Sequence, residues 1–304
     1  MAFIERNAMQ EFIEKAEVLI EALPYIRQFF GKTVVIKYGG AAMLDAELRA
    51  CTAQDIVLMR YVGMNPIVVH GGGPAINAML KRLQIKSQFT SQGLRVTDSD
   101  TMEIVEMMLA GSVNKDIVNL LNHAGGEAVG LCGKDGRLLY ARKVTTDTDE
   151  DVGQVGEITN VNTKVLKALY ENGMIPVIAP IATDEQGNSW NVNADTAAGD
   201  VAAAVEAEKL VFLTDTPGLL RNVDDPESLI HRVHSRSVEE LKKQGVIAGG
   251  MAPKIDACLK ALDFGVRRTH IIDGRVPHSL LLEIFTDKGL GSLVSHDLLD
   301  GMEG

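Results

Sequence analysis

Hydrophobic and polar residues alternate along most of the chain in a repeated order of strand, glycine turn and helix. A β-branched run at residues 33–38 ends at Gly39-Gly40 and is followed by a helical pattern to about residue 61. A second apolar run, residues 66–70, ends at a three-glycine turn and is again followed by a helix. This alternation is typical of a mainly parallel sheet with helices on both faces.

Further segments of both types follow along the chain. The spacing of apolar residues predicts helices at about 99–123, 163–171, 194–206, 238–244 and 251–264, and strands near 128–131, 138–143, 175–179, 209–214 and 269–272. The C-terminal segment adds one short helix and one strand. The polar residues 87–98 predict a hairpin, and a change of pattern near residue 180 predicts a boundary between two lobes.

The N-terminal segment has the pattern of an amphipathic helix that ends near Pro24. Its apolar positions recur at helical spacing and are Met9, Phe12, Ile13, Ala16, Leu19, Ile20 and Leu23. Such a helix can pack on its own domain or hold another subunit. Its place ahead of the first core strand favours the second interpretation.

Composition narrows the classes of function. The formal net charge of -11 disfavours nucleic-acid binding, because phosphate contacts require clustered Lys and Arg. No apolar run is long enough to cross a membrane, and the N-terminus does not have the pattern of a signal peptide. Cys51, Cys132 and Cys258 form no C-x-x-C pair, so we expect a reducing compartment and a cytoplasmic protein.

Two consecutive strands end in glycine clusters, Lys37–Gly40 and His70–Gly73, that suit an anion. Glycine lets backbone N–H groups approach an anion, and the helix that follows adds the positive end of its dipole. Ordinary βα turns often contain one glycine, but two multi-glycine turns indicate a binding site. The Walker A, G-x-G-x-x-G and protein-kinase motifs are absent, so a nucleotide would be bound by another architecture.

Three other segments carry candidate polar groups. Asn191–Asp195 opens the alanine-rich helix, where Asn193 or Asp195 can also serve merely as a cap or first-turn acid. Gly249–Lys254 starts a helix with a lysine at its positive end, which indicates that an anion lies between the two. Arg95 lies in the polar hairpin and can hold a carboxylate by two parallel hydrogen bonds, although a single loop arginine is usually only solvated.

Taken together, these segments resemble the N-acetylglutamate kinases of the amino-acid kinase superfamily. The matching stretches occur in the family's order and are Lys37–Met43, His70–Pro74, Gly93–Asp98, Asn191–Asp195, Thr214–Gly218 and Gly249–Lys254. The resemblance implies a three-layer α/β/α sandwich around a mainly parallel open sheet. It divides the chain into an N-terminal oligomerisation helix (1–30), an N-lobe for the acyl-amino-acid substrate and dimerisation (31–180), and a C-lobe for nucleotide and arginine (181–304).

The resemblance implies transfer of the ATP γ-phosphoryl group to the side-chain carboxylate of N-acetyl-L-glutamate, the second step of arginine biosynthesis, with Mg²⁺ carried on ATP. Lys37 and Lys254 would flank the transferring group, and Asp195 would orient both. The positions that match substrate contacts are Gly72, Gly73, Arg95 and Asn191. Those that match nucleotide contacts are Gly39, Gly40, Thr214, Asp215, Gly218, Gly249, Gly250 and Met251. A side-chain carboxylate is already ionised at neutral pH, so the reaction needs alignment and charge neutralisation rather than a base.

The ends of the chain resemble the arginine-inhibited, hexameric branch of this family, through Glu21–Ile26, His270–Pro277 and residues 283–289. In that branch N-terminal helices join dimers into a ring, and arginine binds beside them. The positions that match arginine contacts are Tyr25, Lys209, His270, Glu283 and Gly289. A plain C-terminal cap on the sheet is the alternative for this region. A PII-type signalling protein is a further candidate partner.

Two other functions are open at this point. The first is another enzyme of the superfamily: glutamate 5-kinase, aspartokinase, carbamate kinase or UMP kinase. The chain leaves no room for the appended regulatory or RNA-binding domain expected of the first two. The second is a non-catalytic arginine-sensing module, against which the presence of both Lys37 and Lys254 argues.

Overall fold

An eight-stranded sheet forms the centre of the computed structural model. The structure describes residues 2–90, 93–145, 151–286 and 289–297, apart from the side chains of residues 2–8, 11 and 41. The tip of the predicted hairpin, residues 91–92, and residues 287–288 of the C-terminal segment lie outside the described residues.

The described elements follow the predicted alternation. The strands are β1 (Thr33–Tyr38), β2 (Asn65–His70), β3 (Ala128–Cys132), β4 (Leu139–Lys143), β5 (Gly156–Val161), β6 (Ile175–Ala179), β7 (Ile181–Thr183), β8 (Ser189–Asn191), β9 (Lys209–Thr214), β10 (Arg232–His234), β11 (Arg268–Asp273) and β12 (Ser292–Ser295). The helices are α1 (Ala2–Phe29), α2 (Ala46–Tyr61), α3 (Gly73–Arg82), α4 (Ser99–Glu106), α5 (Asn114–His123), α6 (Thr163–Tyr170), α7 (Ala194–Ala204), α8 (Val238–Lys243), α9 (Ala252–Asp263) and α10 (Ser279–Ile284). A π-helical segment, Met107–Val113, joins α4 to α5.

The large sheet is mainly parallel. Its order is β10-β12-β11-β9-β1-β2-β6-β3; the pairs from β11 to β3 are parallel, and β12 is antiparallel to β11. Successive side chains of β1 point to opposite faces. Val34 and Ile36 pack in the core beside α2, α5 and α10, whereas Val35 packs in the core beside α7 and α9. The predicted α/β class, with helices on both faces of a mainly parallel sheet, is confirmed.

The strands of the large sheet divide at the β1–β9 pair. β1, β2, β3 and β6 come from residues before 180, and β9 to β12 come from residues after it. The short strands β7 and β8 belong to a second sheet of order β5-β4-β7-β8, in which β7 pairs with β4 from the first half. The boundary between two lobes near residue 180 stays a prediction.

β1 lies where the strand order reverses, with β2 on one side and β9 on the other. Lys37 pairs with Val69 of β2 and with Phe212 of β9. The carboxyl ends of these three strands therefore meet at one edge of the sheet. Open α/β sheets bind ligands in the crevice at such a reversal.

The N-terminal helix α1 is longer than predicted, because it continues through Pro24 to Phe29. Proline removes one helical hydrogen bond, but Phe29 is buried and Tyr25 packs against the same core, which offsets this loss. The predicted end near Pro24 is therefore wrong. By contrast, Phe12 is 65% exposed and Leu19 is 72% exposed. None of the helices in the described ranges combines the length and apolarity that a membrane span requires.

A buried carboxylate on α2 fixes the start of α10. Asp55 Oδ1 lies 2.6 Å from His278 Nδ1, and the carboxylate also accepts the N–H groups of Leu280 and Leu281. His278 precedes the helix in a left-handed backbone conformation, with φ of 57°. Burial raises the pKa of Asp55 to about 6, although these hydrogen bonds lower it.

We expect Asp55 to make stability depend on pH. Its pKa in the folded protein, about 6, is above the ordinary value of 3.8, so the folded state binds the proton more tightly. The free energy of unfolding of the wild type, relative to Asp55→Asn, should therefore rise by roughly 1 kcal/mol as pH falls from about 7 to 5. Urea unfolding of both proteins at each pH measures this difference. A difference that does not change with pH would contradict the assignment.

Candidate active site

Three charged side chains meet at the carboxyl edge of the sheet. Lys37 is on β1, Asp195 is in the first turn of α7, and Lys254 is in the first turn of α9. Lys37 Nζ lies 3.0 Å from Asp195 Oδ1 as an ion pair without hydrogen-bond geometry. Lys254 Nζ donates a hydrogen bond to Asp195 Oδ2 at 2.9 Å. One carboxylate thus holds two ammonium groups.

Local structure leaves Asp195 available for this role. The cap of α7 is Asn193, whose side chain accepts the N–H groups of Asp195 at 2.8 Å and of Thr196 at 3.2 Å. Burial alone raises the pKa of Asp195, but the charges of Lys37 and Lys254 outweigh it and hold the pKa below its ordinary value. The carboxylate is therefore ionised at neutral pH.

Lys254 stands against the dipole of α9, where a cation is unfavourable. In the structure it faces the carboxylate of Asp195, and it also donates to the carbonyl oxygen of Gly250 at 3.1 Å. Two ammonium groups thus share one carboxylate, and the cluster retains one positive charge. This local positive charge, within a chain of formal net charge -11, suits an anionic ligand.

An open cleft lies next to this cluster, since Asn193 and Ala194, which precede Asp195, line it. The four predicted substrate residues all line it, together with several apolar side chains: Gly72, Gly73, Arg95, Asn191, Phe89, Leu94 and Val192. Asn191 lies at the end of β8, and its Nδ2 donates to Thr97 Oγ1 at 3.1 Å. Thr97 Oγ1 in turn donates to the carbonyl oxygen of Arg95 at 2.8 Å, which links the two residues.

Arg95 is held by three neighbours that the sequence pattern did not predict. Its Nη1 donates to Ser87 Oγ, and its Nη2 donates to Asn77 Oδ1 at 2.8 Å. The guanidinium lies over the Phe89 ring, 4.5 Å from its centroid. Burial lowers the pKa of Arg95 from its ordinary value, and no carboxylate of the described residues pairs with it. Each Nη atom has a second N–H, so the guanidinium can still bind a ligand carboxylate.

The register of the hairpin could have located one of these neighbours. Phe89 and Arg95 pair across the turn, and paired side chains lie on the same face. Asn77 is on α3, and only the tertiary fold brings it to the guanidinium.

The first glycine turn also fits the site closely. A Cβ atom on Gly39 would lie 2.5 Å from Lys37 Nζ, so glycine leaves room for the lysine side chain. Gly40 has a φ of +67°, and a Cβ there would overlap the carboxylate of Asp215. The turn after β1 therefore contacts the segment after β9.

The other predicted nucleotide residues are in different environments. Thr214 is the last residue of β9, at the carboxyl edge of the sheet. Its Oγ1 donates to the carbonyl oxygen of Thr216 at 2.8 Å. Gly249 and Gly250 face open space, and Met251 packs on the core. Gly218 lies against Ser292, where a Cβ would overlap the serine side chain. Gly218 therefore packs against Ser292, whereas its contact with a nucleotide stays a prediction.

A second polar cluster lies toward the opposite end of β9. His270 Nδ1 lies 2.5 Å from Glu283 Oε1, and Glu283 Oε2 accepts the N–H of Leu290 at 2.8 Å. Lys209 Nζ lies over the Phe29 ring of α1, 4.6 Å from its centroid. Phe29 was not among the predicted residues. Lys209 is the first residue of β9, so it lies roughly 17 Å along the strand from Thr214 at the carboxyl edge.

The remaining predicted effector residues adjoin this cluster. A Cβ atom on Gly289 would lie 3.2 Å from Glu283 Oε1. Tyr25, one turn before Phe29, packs on the core that also includes residues of α10. The structure thus brings Lys209, His270, Glu283 and Gly289 together beside Phe29 of α1, and Tyr25 lies one turn before Phe29 on that helix.

The hydrogen bonds and charges of this cluster keep the carboxylate of Glu283 ionised. Burial lowers the pKa of Lys209 to about 8 and lowers the pKa of His270 as well. Burial alone raises the pKa of Glu283, but the hydrogen bonds from His270 and Leu290 and the charge of Lys209 bring it below its ordinary value. His270 Nε2 is buried and has no partner among the described residues. A neutral ring that donates from Nδ1 to Glu283 leaves Nε2 as an acceptor.

Comparison with known proteins identifies related chains. Residues 32–273 match the model of the amino acid kinase family. The chain is 57% identical, over 98% of its length and 98% of the other's, to an acetylglutamate kinase of Thermoanaerobacter pseudethanolicus. It is also similar to a structure of N-acetylglutamate synthase from Neisseria gonorrhoeae complexed with coenzyme A and N-acetyl-glutamate. The identity is 27% and the TM-score is 0.82, over 93% of this chain and 64% of the synthase.

The same synthase complexed with coenzyme A and L-arginine has a TM-score of 0.78 at 25% identity, over 93% of this chain. This chain spans 65% of that synthase chain.

Proposed function

Because the chain belongs to the amino acid kinase family, we propose that it is an acetylglutamate kinase. It would transfer the γ-phosphoryl group of ATP to the side-chain carboxylate of N-acetyl-L-glutamate in arginine biosynthesis. The observation that carries the proposal is the Lys37–Asp195–Lys254 cluster beside a cleft that contains Arg95. A bond forms between a carboxylate oxygen and the γ-phosphorus, the bond to the β–γ bridging oxygen breaks, and ADP leaves with the negative charge.

The lysines would neutralise charge during this transfer. The attacking carboxylate and the transferring phosphoryl group are both negative, so alignment without neutralisation is costly. Lys37 and Lys254 reach the same point from two sides, and Asp195 holds both in place. No proton has to be removed from the attacking group, because a carboxylate of this kind is ionised at neutral pH.

The acyl substrate would occupy the cleft beside the cluster. Arg95 would bind one of its carboxylates, and the stacking on Phe89 keeps the guanidinium plane fixed. Asn191 would bind through its side-chain amide, and Gly72 and Gly73 through backbone N–H groups. These residues all line the same cleft, which supports the proposal.

The nucleotide would lie along the segments after β1 and β9 and before α9. In this arrangement residues 31–180 form the lobe for the acyl substrate, and residues 181–304 form the lobe for nucleotide and arginine. The described residues contain no group of three or more His, Cys, Asp or Glu that could hold a metal ion. Mg²⁺ would therefore be held mainly by phosphate oxygens, where it neutralises charge.

Arginine would bind in the cluster formed by Lys209, His270 and Glu283. The ionised Glu283 suits a guanidinium, the unpartnered His270 Nε2 can accept one of its N–H groups, and Lys209 suits the α-carboxylate. The synthase of similar fold forms a complex with L-arginine, which also supports the proposal. The adjacent α1 would join subunits into a hexamer. A PII-type partner and a cytoplasmic location stay predictions.

We expect Lys37→Ala and Lys254→Ala each to lower kcat by roughly 10²–10³, as removal of one transition-state charge donor does in other enzymes. Hydroxylamine converts acyl phosphates to hydroxamates, so hydroxamate formation with ATP and N-acetylglutamate measures the reaction. Lys243→Ala, an exposed lysine at the end of α8, is the matched control. Near-normal kcat in either of the first two variants would remove that lysine from the reaction. If free glutamate were the better substrate in the wild type, the proposed substrate would be wrong.

We expect Arg95→Lys to raise the KM for N-acetylglutamate far more than the KM for ATP. A lysine keeps the charge but cannot reproduce the planar two-bond contact or the stacking on Phe89. Initial rates with each substrate varied in turn measure both constants. Equal changes in the two KM values would place Arg95 outside the acyl-substrate site.

We expect deletion of residues 1–24 to convert the hexamer to dimers, to weaken arginine inhibition sharply and to leave kcat largely intact. The deletion removes the exposed apolar stripe of α1 but keeps Tyr25 and the buried Phe29. An exposed stripe of this size favours association, and inhibition requires that arginine distinguish two arrangements of subunits. Light scattering and arginine titration measure the two effects.

Two point variants control for the deletion. Leu19→Glu places a charge on the stripe, whereas Val18→Glu places it on the opposite side of α1 at similar exposure, 63% against 72%. Only the first should break the hexamer. A truncated protein that stays hexameric and fully inhibited by arginine would refute the role of α1 but not the kinase activity.

A further inference from the structure

His70 is a buried imidazole directly behind the second glycine turn, and the proposed mechanism does not use it. It is the last residue of β2 and is 0% exposed. Its Nδ1 lies 2.8 Å from the carbonyl oxygen of Gly71, and its Nε2 lies 3.1 Å from Asn114 Nδ2. Both ring nitrogens therefore have a partner.

These partners determine which ring nitrogen carries the proton. A carbonyl oxygen only accepts, so Nδ1 is the donor to Gly71. The amide of Asn114 is oriented by groups of fixed polarity: its Nδ2 donates to the carbonyl oxygen of Val177 at 3.0 Å, and its Oδ1 accepts from Lys115 Nζ at 3.0 Å. Its Nδ2 thus faces His70 Nε2, which accepts. Burial also lowers the pKa of His70 to about 4, so the ring is neutral at pH 7.

The hydrogen bond from His70 sets the direction of the next N–H group. The peptide between Gly71 and Gly72 is planar, so its C=O and N–H point in opposite directions. With the carbonyl held toward the imidazole, the Gly72 N–H points away from it, and Gly72 itself lines the cleft. Consecutive glycines allow this peptide many orientations. His70 Nδ1, fixed at the end of β2, selects one of these orientations.

The π-helical segment Met107–Val113 supports the same turn. It leads directly into Asn114, and Leu109 and Val113 pack on Gly72: a Cβ there would overlap Leu109 and lie 3.5 Å from Val113 Cγ2. π-helical turns are rare and occur frequently at functional sites. One helix thus contacts the glycine turn through its apolar side chains and contacts His70 through an amide.

We propose that His70 is a positioning residue that directs the Gly72 N–H toward the reacting anionic groups, with Asn114 fixing its tautomer. The inference rests on the proposed function, because it assigns the Gly72 N–H to the same site. It adds His70 and Asn114, which would contact neither substrate but would orient Gly72, which contacts the reacting groups.

His70→Asn and His70→Gln separate the roles of the two ring nitrogens. The Asn amide reaches the position of Nδ1 and can donate to Gly71, whereas the Gln amide reaches the position of Nε2 and leaves that carbonyl unheld. Each variant loses one buried hydrogen bond, so their thermal unfolding midpoints should fall by similar amounts. In the hydroxamate assay, kcat should stay within about threefold of the wild type for His70→Asn and fall roughly 10–100-fold for His70→Gln.

Asn114→Asp tests the tautomer while His70 is retained. A carboxylate only accepts, so at an alkaline pH where the ring is neutral it holds the ring proton on Nε2 and places two acceptors, Nδ1 and the Gly71 carbonyl, against each other. Both measurements on this variant are therefore made at that pH, alongside the wild type. We expect a loss of kcat similar to that of His70→Gln. The ¹⁵N spectrum of histidine-labelled protein, assigned with His70→Asn, should show the proton on Nδ1 in the wild type and on Nε2 in Asn114→Asp.

Three outcomes are distinguishable. Equal kcat in His70→Asn and His70→Gln overturns the positioning role, and so does a wild-type ring that is protonated at Nε2. The ¹⁵N measurement on the wild type needs no variant to fold in order to contradict the inference. A wild-type protein that forms no hydroxamate from N-acetylglutamate overturns the proposed function instead.

Discussion

The shared carboxylate of Asp195 is the interaction on which the rest of the site depends. Lys37 comes from the first half of the chain, whereas Asp195 and Lys254 come from the second, so the ion pairs join the two halves at the cleft. One carboxylate is enough to hold two ammonium groups in a buried place, yet it leaves one positive charge uncompensated. A second carboxylate would neutralise the cluster and remove its attraction for a phosphoryl group. Without any carboxylate, two buried cations would repel each other.

β9 connects this cluster with the second polar cluster. It is buried along its full length, with Lys209 at one end and Thr214 at the other. Its neighbours β1 and β11 carry Lys37 and His270. A buried strand held on both sides cannot bend locally without moving its neighbours. The same strand runs from the α1 region to the carboxyl edge of the sheet. Asp55 fixes the helix that carries Glu283, since it ties α2 to the start of α10.

The sequence allowed the strands, the glycine turns and the charged residues of both clusters to be predicted, because each depends on local chemistry or on a recognised order of motifs. The strands β7, β8 and β10 were missed, since three residues are too few to show an alternation. The six-residue β5 was missed as well, because the polar Glu157, Thr159 and Asn160 leave no regular apolar period in it. The end of α1 was misplaced because the packing of Phe29 overrides the effect of Pro24. Asn77 and Asn114 could not be found, because nothing in their own segments distinguishes them from surface amides; only the tertiary fold brings them to Arg95 and His70.

The glycine turns show why these missed residues matter. Glycine allows a backbone N–H to approach an anion closely, but the same freedom leaves its direction undefined. Direction has to come from groups outside the turn. After β1, the side chain of Tyr38 donates to the carbonyl oxygen of Ala42 at 2.7 Å, and the segment containing Asp215 packs against Gly40. After β2, His70 holds Gly71. In both turns the last residue of the strand is a buried polar side chain whose hydrogen bond reaches forward into the turn. A rigid strand end thus orders the flexible segment that it precedes, so glycine supplies access while the strand supplies orientation.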